Sequence, residues 1–295
     1  MNGTRRAFVA LVAAAGLAGA LFWGSACSRT PPGGAQNRMA SRVVSLSPAT
    51  TEALFAIGAG SQAVGRSRYC DYPPEALALP VVGGFVDADF EAIVGLGPDL
   101  VVGAPGPGSV ALADKLARRG VATWFPAIGA MATIQAMITG LGERTGHASQ
   151  ATRLAQALEA QARKVEASVA AEPAPRVLMV AGLSPIVAAG PGSFMDDLLG
   201  RARATNVLKE GAPWQTVEFE RMLDLDPDVI LEGAGGEGRV QPSTPGWAEL
   251  RAVRTGHVIP VSDPRILRPG PRVAEGLAVL AHALHPNVAA VSFSP

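Results

Sequence analysis

From residue 42 onward, short runs of apolar and β-branched residues alternate with stretches of helical periodicity. Val43-Val44-Ser45-Leu46 reads as a strand, and Thr50 to Ile57 as a helix with Ser47 or Thr50 as its N-cap. Asp99 to Val102 is a second strand. It runs into a Gly/Pro loop over 103–108, a helix from Val110 to Arg119 and a strand over 121–125. Between His147 and Ala171 there is neither Pro nor Gly. Ala148, Ala151, Leu154, Leu158, Val165 and Val169 recur there at helical spacing with charges between them, which predicts one long amphipathic helix ended by Pro173 and Pro175. Strands follow over 177–180, 228–231 and 257–261, and Val273 to Leu284 closes the chain as a helix. Alternation of this kind predicts parallel sheets covered by helices.

The pattern also repeats. Phe90 to Val101 matches Phe219 to Ile230 without a gap: Phe, Glu, Leu, Pro and Asp coincide, and the apolar positions agree. Each copy reads as a short helix, a Pro-Asp turn and a buried strand. Two copies on either side of a long helix predict two related α/β lobes with central parallel sheets, bridged by one long rigid helix across a fixed cleft. The expected organisation is an N-terminal lobe over 42–128, a helical connector with the interlobe helix over 129–172, and a C-terminal lobe over 173–295.

The first 41 residues follow a different logic. Arg5 and Arg6 form a basic start, Ala7 to Trp23 is uninterrupted by charge, and Gly24-Ser25-Ala26 are small. A basic end, an apolar middle and a small-residue site over 1–27 read as an export signal. Cys27 then resembles the lipoprotein box of bacteria, in which that cysteine is diacylated and becomes the mature N-terminus; Gly24 departs from the usual Leu. The competing reading is an ordinary cleaved signal with an incidental cysteine. Two acyl chains give stable anchoring, so the expectation is a periplasmic, exported protein held to the membrane through Cys27. Residues 28–41, rich in Pro, Gly and polar side chains, read as a tether. Thr4 to Val9 resembles a twin-arginine signal, or is simply a basic start.

Composition narrows the chemistry. Lys plus Arg and Asp plus Glu are 25 each, so the formal net charge is zero. That argues against a nucleic-acid partner, which needs a basic surface. Two cysteines exclude a disulfide framework and a cysteine-rich metal site. His282 and His285 lack a carboxylate in zinc-protease register and read as a solvated helix end. No nucleophile elbow or P-loop lysine is present. Gly58 to Ala63 mimics a dinucleotide fingerprint, but it follows a helix and precedes a strand, and so reads as a C-cap and turn. The chain is expected to be no enzyme and to carry no cofactor or metal of its own.

The aromatics point elsewhere. Both tyrosines lie in Tyr69-Cys70-Asp71-Tyr72-Pro73-Pro74. Phe85 follows Gly83-Gly84, and Trp214 follows Pro213; each precedes its repeat-unit glutamate by the same interval (85 to 91, 214 to 220). Aromatics in Pro/Gly loops line clefts or surfaces, so Phe85 and Trp214 form either a sandwich for a flat apolar ligand or two unrelated loop anchors. Arg268, in the rigid loop Arg265 to Arg272, carries a fork suited to an amide or carboxylate, or is simply solvated. The loop over 103–108 lies at a strand's carboxyl end, where ligands bind in parallel sheets, or is a plain turn. Cys70 lies beside the proposed cleft, either within reach of a ligand's metal or as a passive thiol.

Arg42 to Glu52, the Tyr69–Pro74 loop, both glutamate-bearing units, Trp247 to Val253 and Arg268 to Arg272 together resemble the bacterial periplasmic binding proteins that serve ABC importers of cobalamin, haem and ferric siderophores. Within the class, the Tyr-x-Asp-Tyr-Pro-Pro loop and its spacing to Phe85 and Trp214 are most similar to cobalamin binders. The resemblance implies that a corrinoid sits between the lobes against Tyr69, Phe85, Trp214 and Arg268. Phe85 replaces a Trp, and Ala104 and Ile186 replace aromatic contacts, so a related corrinoid or another tetrapyrrole stays open. The resemblance also implies that Glu91 and Glu220 dock on arginines of a dimeric permease driven by ATPase subunits; both also suit a helix N-terminus. The rivals are a haem or ferric-siderophore carrier of the same fold, an enzyme acting on a metal chelate, and a surface lipoprotein that binds another protein.

Overall fold

The computed structural model describes residues 39–84, 86–233, 240 and 246–293. The expected signal, tether and Cys27 lie almost wholly outside this range, as does Phe85.

The N-terminal lobe runs β1 (Val43–Ser45), α1 (Pro48–Ala56), β2 (Ala63–Arg66), α2 (Phe90–Gly95), β3 (Leu100–Val102), α3 (Ser109–Ala117) and β4 (Ala122–Trp124). Two helices follow, α4 (Met131–Thr145) and α5 (Ala148–Val169). The C-terminal lobe continues with β5 (Arg176–Leu183), β6 (Ile186–Ala189), α6 (Phe194–Arg201), β7 (Thr205–Asn206), β8 (Trp214–Thr216), α7 (Phe219–Leu225) and β9 (Val229–Glu232). It ends with α8 (Arg251–Arg254), β10 (Val258–Pro260), α9 (Pro264–Leu267) and α10 (Val273–Leu284).

The first sheet has the order β2-β1-β3-β4 and is parallel throughout. The second has the order β10-β9-β5-β6-β8, with β7 beside the start of β5. Its centre, β10-β9-β5-β7, is parallel as expected, but β6 pairs antiparallel with both β5 and β8. The hydrophobic pattern misses this edge because β6 and β8 are short and only partly buried.

Alternation along the strands divides the core. Val43, Leu100, Val177 and Val229 point into one cluster that also takes Met131 and Ile138 from α4, Leu158 and Val165 from α5, and Leu277 from α10. The intervening residues point the other way. Val44 and Val101 pack with Ile93 and Leu116, and Leu178 and Ile230 pack with Met222 and Leu250. A period of two sends alternate residues to opposite faces, so each sheet has a private outer core while both inner faces share one. The long helix is not a bare strut. It packs against α4, with Gly142 so close to Ala151 that a β-carbon at 142 would come within 2.4 Å of it.

Helix ends follow their sequence signals. Ser47 caps α1 by accepting from the Thr50 N–H, with Pro48 in the first turn. Gly58, at φ +87°, ends the helix in the left-handed region, so 58–63 is a cap and turn. His285 departs from its expectation: it is buried, and its Nε2 lies 2.8 Å from the Ala202 carbonyl. The last turn of α10 packs inward rather than ending in solvent.

The repeat extends further than its sequence match. Arg42 donates to the Leu96 and Gly97 carbonyls at 2.6 and 3.0 Å, and Arg176 to the Leu225 and Asp226 carbonyls at 2.6 and 3.2 Å. The Arg42 N–H donates to Asp99 at 3.0 Å, and the Arg176 N–H to Asp228 at 2.9 Å. Each arginine thus ties the start of its lobe's central strand to the end of the repeat-unit helix and to the turn behind it. Gly97 and Asp226, both at positive φ, occupy the same step before Pro.

Candidate functional site

The carboxyl ends of the N-terminal lobe's parallel strands carry the loops that sequence reasoning singled out. A pocket of about 220 Å³ opens there, walled by Leu46, Phe90, Leu112 and Phe125, with Ala104 and Lys115 also lining it. The Gly/Pro loop over 103–108 forms part of its lining, in agreement with its position after β3. Ligands in parallel sheets bind at this end of the strands.

Tyr69 lies in the loop after β2 with 53% of its surface exposed, and its N–H donates to Ser67 Oγ at 3.3 Å. The Arg68 guanidinium sits 5.8 Å from the Tyr69 ring centroid while pairing with Asp87 at 2.7 Å. Trp214 was expected in a loop; it instead opens β8, opposite Ala189 of β6, on the antiparallel edge of the second sheet. It is 48% exposed. Both residues therefore keep about half their surface open to solvent. No aromatic ring pair joins Tyr69 to Trp214 among the described residues.

Arg268 is the candidate best anchored by its surroundings. It follows α9 and pairs with Asp71, two residues beyond Tyr69, so the structure brings Arg268 and the Tyr69 loop together. Asp71 is held below the usual carboxylate range by hydrogen bonds from Arg268, against a smaller opposing effect of partial burial. Arg272 donates twice to Glu52, at 2.7 and 2.9 Å, and Arg268 lies 3.6 Å from the same carboxylate. Glu52, Asp71 and Arg272 were not singled out as site residues. One signal was legible: Glu52 is the sole charge in α1, on a helix that is otherwise apolar and polar-neutral, and a buried charge requires a partner.

Glu91 and Glu220 lie in the first turns of α2 and α7, at matching places in the two lobes. Both are exposed, and neither takes part in an ion pair or side-chain hydrogen bond among the described residues. Asp89 already caps α2 by accepting from the Ala92 N–H at 3.0 Å, so Glu91 is not needed for that task.

Cys70 is buried, with its Sγ 3.2 Å from Ser67 Oγ and no exposed surface. That burial fits the passive thiol. Trp247 is buried against Phe219, ring centroids 5.7 Å apart, so the 247–253 motif belongs to the outer core. Among the described residues, no group of three or more His, Cys, Asp or Glu side chains is placed to hold a metal ion, and no helix is long and apolar enough to cross a membrane.

Comparison with known proteins agrees with the fold. A family profile described as "Periplasmic binding protein" matches residues 43–264. The Vitamin B12-binding protein of Salmonella typhimurium is 32% identical over 250 residues, covering 83% of this chain and 90% of its own length. The Bacillus subtilis protein YvrC, described as an uncharacterized ABC transporter substrate-binding lipoprotein, is 26% identical, covering 83% of this chain and 80% of its own. Among solved structures, the heme-binding protein BhuT, in complex with two hemes, superimposes with a TM-score of 0.75 at 25% identity, covering 84% of this chain and 99% of its own. The vitamin B12-binding protein BtuF of Vibrio cholerae superimposes with a TM-score of 0.73 at 24% identity, covering 84% and 97%.

Proposed function

Since the chain belongs to the periplasmic binding protein family, we propose that it is the substrate-binding component of an ABC importer that captures cobalamin or a related corrinoid between its lobes and delivers it to a permease. One observation carries the ligand: the 32% identity to a vitamin B12-binding protein, spread over 83% of this chain. In this reading Tyr69, Phe85 and Trp214 stack on the ligand's flat faces, and Arg268 meets one of its amide or carboxylate groups. Tyr69 and Trp214 suit that task because each leaves about half its surface uncovered at 53% and 48%. An exposed aromatic gains most when a second flat surface desolvates it. Capture and release need no bond to be made or broken, so the protein is not an enzyme.

Glu91 and Glu220 supply the delivery step. Two free carboxylates at equivalent places on two lobes match a two-fold partner bearing cations, and charge complementarity fixes orientation and speeds encounter. A dimeric permease with its own ATPase subunits is such a partner. The protein is exported, and Cys27 carries a lipid that holds it at the membrane; the lipoprotein name of the Bacillus relative supports this. A haem carrier is the second reading, favoured by the superposition on the heme complex at 25% identity.

Calorimetric titration of the purified protein with cyanocobalamin, haemin and a ferric siderophore tests the ligand. Saturable binding of cyanocobalamin, stronger than of the other two, is expected. Heat from haemin alone would transfer the assignment to the haem reading.

A further inference from the structure

The loop between α9 and α10 places two arginines against two carboxylates of the other lobe, and the two pairs differ in their exposure to water. The Glu52 side chain is 2% exposed and accepts from Arg272 Nη2 and Nε at 2.7 and 2.9 Å. Arg272 also lies 3.8 Å from the Tyr72 ring centroid. Gly270, between the two arginines, packs on α1, where a β-carbon would meet Ala49 Cα at 3.5 Å. The Asp71 side chain is 56% exposed, and its partner Arg268 is 23% exposed. Water and salt weaken an accessible pair and leave a desolvated one largely intact. Removing one member of a desolvated pair strands a buried charge. The first pair is therefore a fixed tie and the second an exchangeable one. Arg268 keeps a second carboxylate, Glu52, at 3.6 Å if Asp71 is displaced.

We infer that Glu52 is a positioning residue that pins the 268–272 loop to the N-terminal lobe through Arg272, and that Asp71 competes with the ligand for Arg268. The second half rests on the proposed role of Arg268 as a ligand contact; the first half does not. The tie joins the two lobes independently of α4 and α5. A ligand that engages Arg268 must displace Asp71 from it.

Hydrogen–deuterium exchange on the ligand-free protein tests the tie. Glu52→Gln should speed exchange at residues 266–274 while β1, β5 and β9 keep their protection. Asp71→Asn should leave that segment slow. Unchanged exchange at 266–274 in Glu52→Gln overturns the tie, and so does a uniform rise through all strands, which would mean a general loss of stability. If Glu52→Gln does not fold, Arg272→Gln asks the same question. The competition is read by titrating cyanocobalamin, or haemin if only haemin binds the parent protein. Asp71→Asn should bind roughly two- to fivefold more tightly, the scale of one accessible ion pair. Equal or weaker binding overturns it. The exchange measurement uses no ligand, so an incorrect ligand assignment leaves the test of the tie intact.

Discussion

In the N-terminal lobe the aspartate behind the repeat-unit Pro, Asp99, takes the N–H groups of Ser41 and Arg42 and the Ser41 hydroxyl, at 2.9–3.0 Å. In the C-terminal lobe its counterpart Asp228 takes the Arg176 N–H and then a full charge, Arg251 at 2.7 Å. Arg251 also donates to the Asp226 carbonyl at 3.1 Å, where the first lobe has no second arginine at Gly97 among the described residues. The backbone bonds of the unit agree between the copies; the side chains that reinforce them do not. The sheets diverge in the same way. One is parallel to its edges and presents Tyr69 on a loop. The other adds β6 and β8 and presents Trp214 on a strand. The repeated part builds the frame, and the unrepeated edges carry the candidate ligand surface.

The comparison breaks most sharply in the core. Ile93 and Met222 occupy matching positions in α2 and α7, and neither has exposed surface. Truncating either to Ala should cost about 2–5 kcal/mol. They sit in separate outer cores, yet the inner faces of both sheets share one cluster. Both variants should therefore melt in a single calorimetric transition at a lower temperature. Two resolved transitions in either variant would show that the lobes unfold independently.

The edges give the next effect. Trp214→Ala should weaken ligand binding by roughly 1–3 kcal/mol, the range of an aromatic anchor. Tyr69→Ala should cost less, because its loop and the nearby Arg68 offer a smaller rigid face than a strand-borne indole. Isothermal titration of the two variants ranks them. Equal affinity of Trp214→Ala and the parent would remove Trp214 from the site.

The clamps come third. Arg42→Ala leaves the Leu96 and Gly97 carbonyls without a side-chain donor and should cost about 1–2 kcal/mol in urea denaturation. Arg176→Ala should cost about half of that, because Arg251 still reaches Asp226. A larger loss at Arg176 would mean that Arg251 moves when Arg176 is removed.

Much of this frame was legible. Hydrophobic periodicity marked α5 and α10 because long amphipathic faces repeat a strong signal. The ungapped match of 90–101 with 219–230 predicted the second lobe. The clamp arginines were not recognised, since Arg42 and Arg176 lie outside the matched segments and act on backbone carbonyls, which leave no mark in a residue pattern. β6 and β8 are too short to leave a periodic signal, and Pro213 just before Trp214 reads as a loop. The Glu52–Arg272 tie joins residues far apart in the chain; a lone charge in α1 announced that a partner exists, though not which one.

The smallest effect separates the two aspartates by the kind of partner each has. Partial burial raises the affinity of Asp99 for a proton, but the N–H groups of Ser41 and Arg42 and the Ser41 hydroxyl outweigh it and hold the carboxyl below its ordinary range. A carboxyl depressed in the folded state stabilises above its unfolded pKa, about 3.9, and that contribution fades as pH falls through the folded value. Asp99→Asn should therefore lose less than about 1 kcal/mol at neutral pH, since the site is partly solvated. Its stability should converge with that of the parent as the solution is acidified below about pH 4. Raising the salt should change little, because the donors to Asp99 are neutral. Asp228→Asn should show the opposite sensitivity: its partner Arg251 is a half-exposed cation, so added salt should shrink the difference from the parent. If salt moved both variants equally, the side-chain partners of the two turns would be equivalent, and the divergence between the lobes would be confined to their edges.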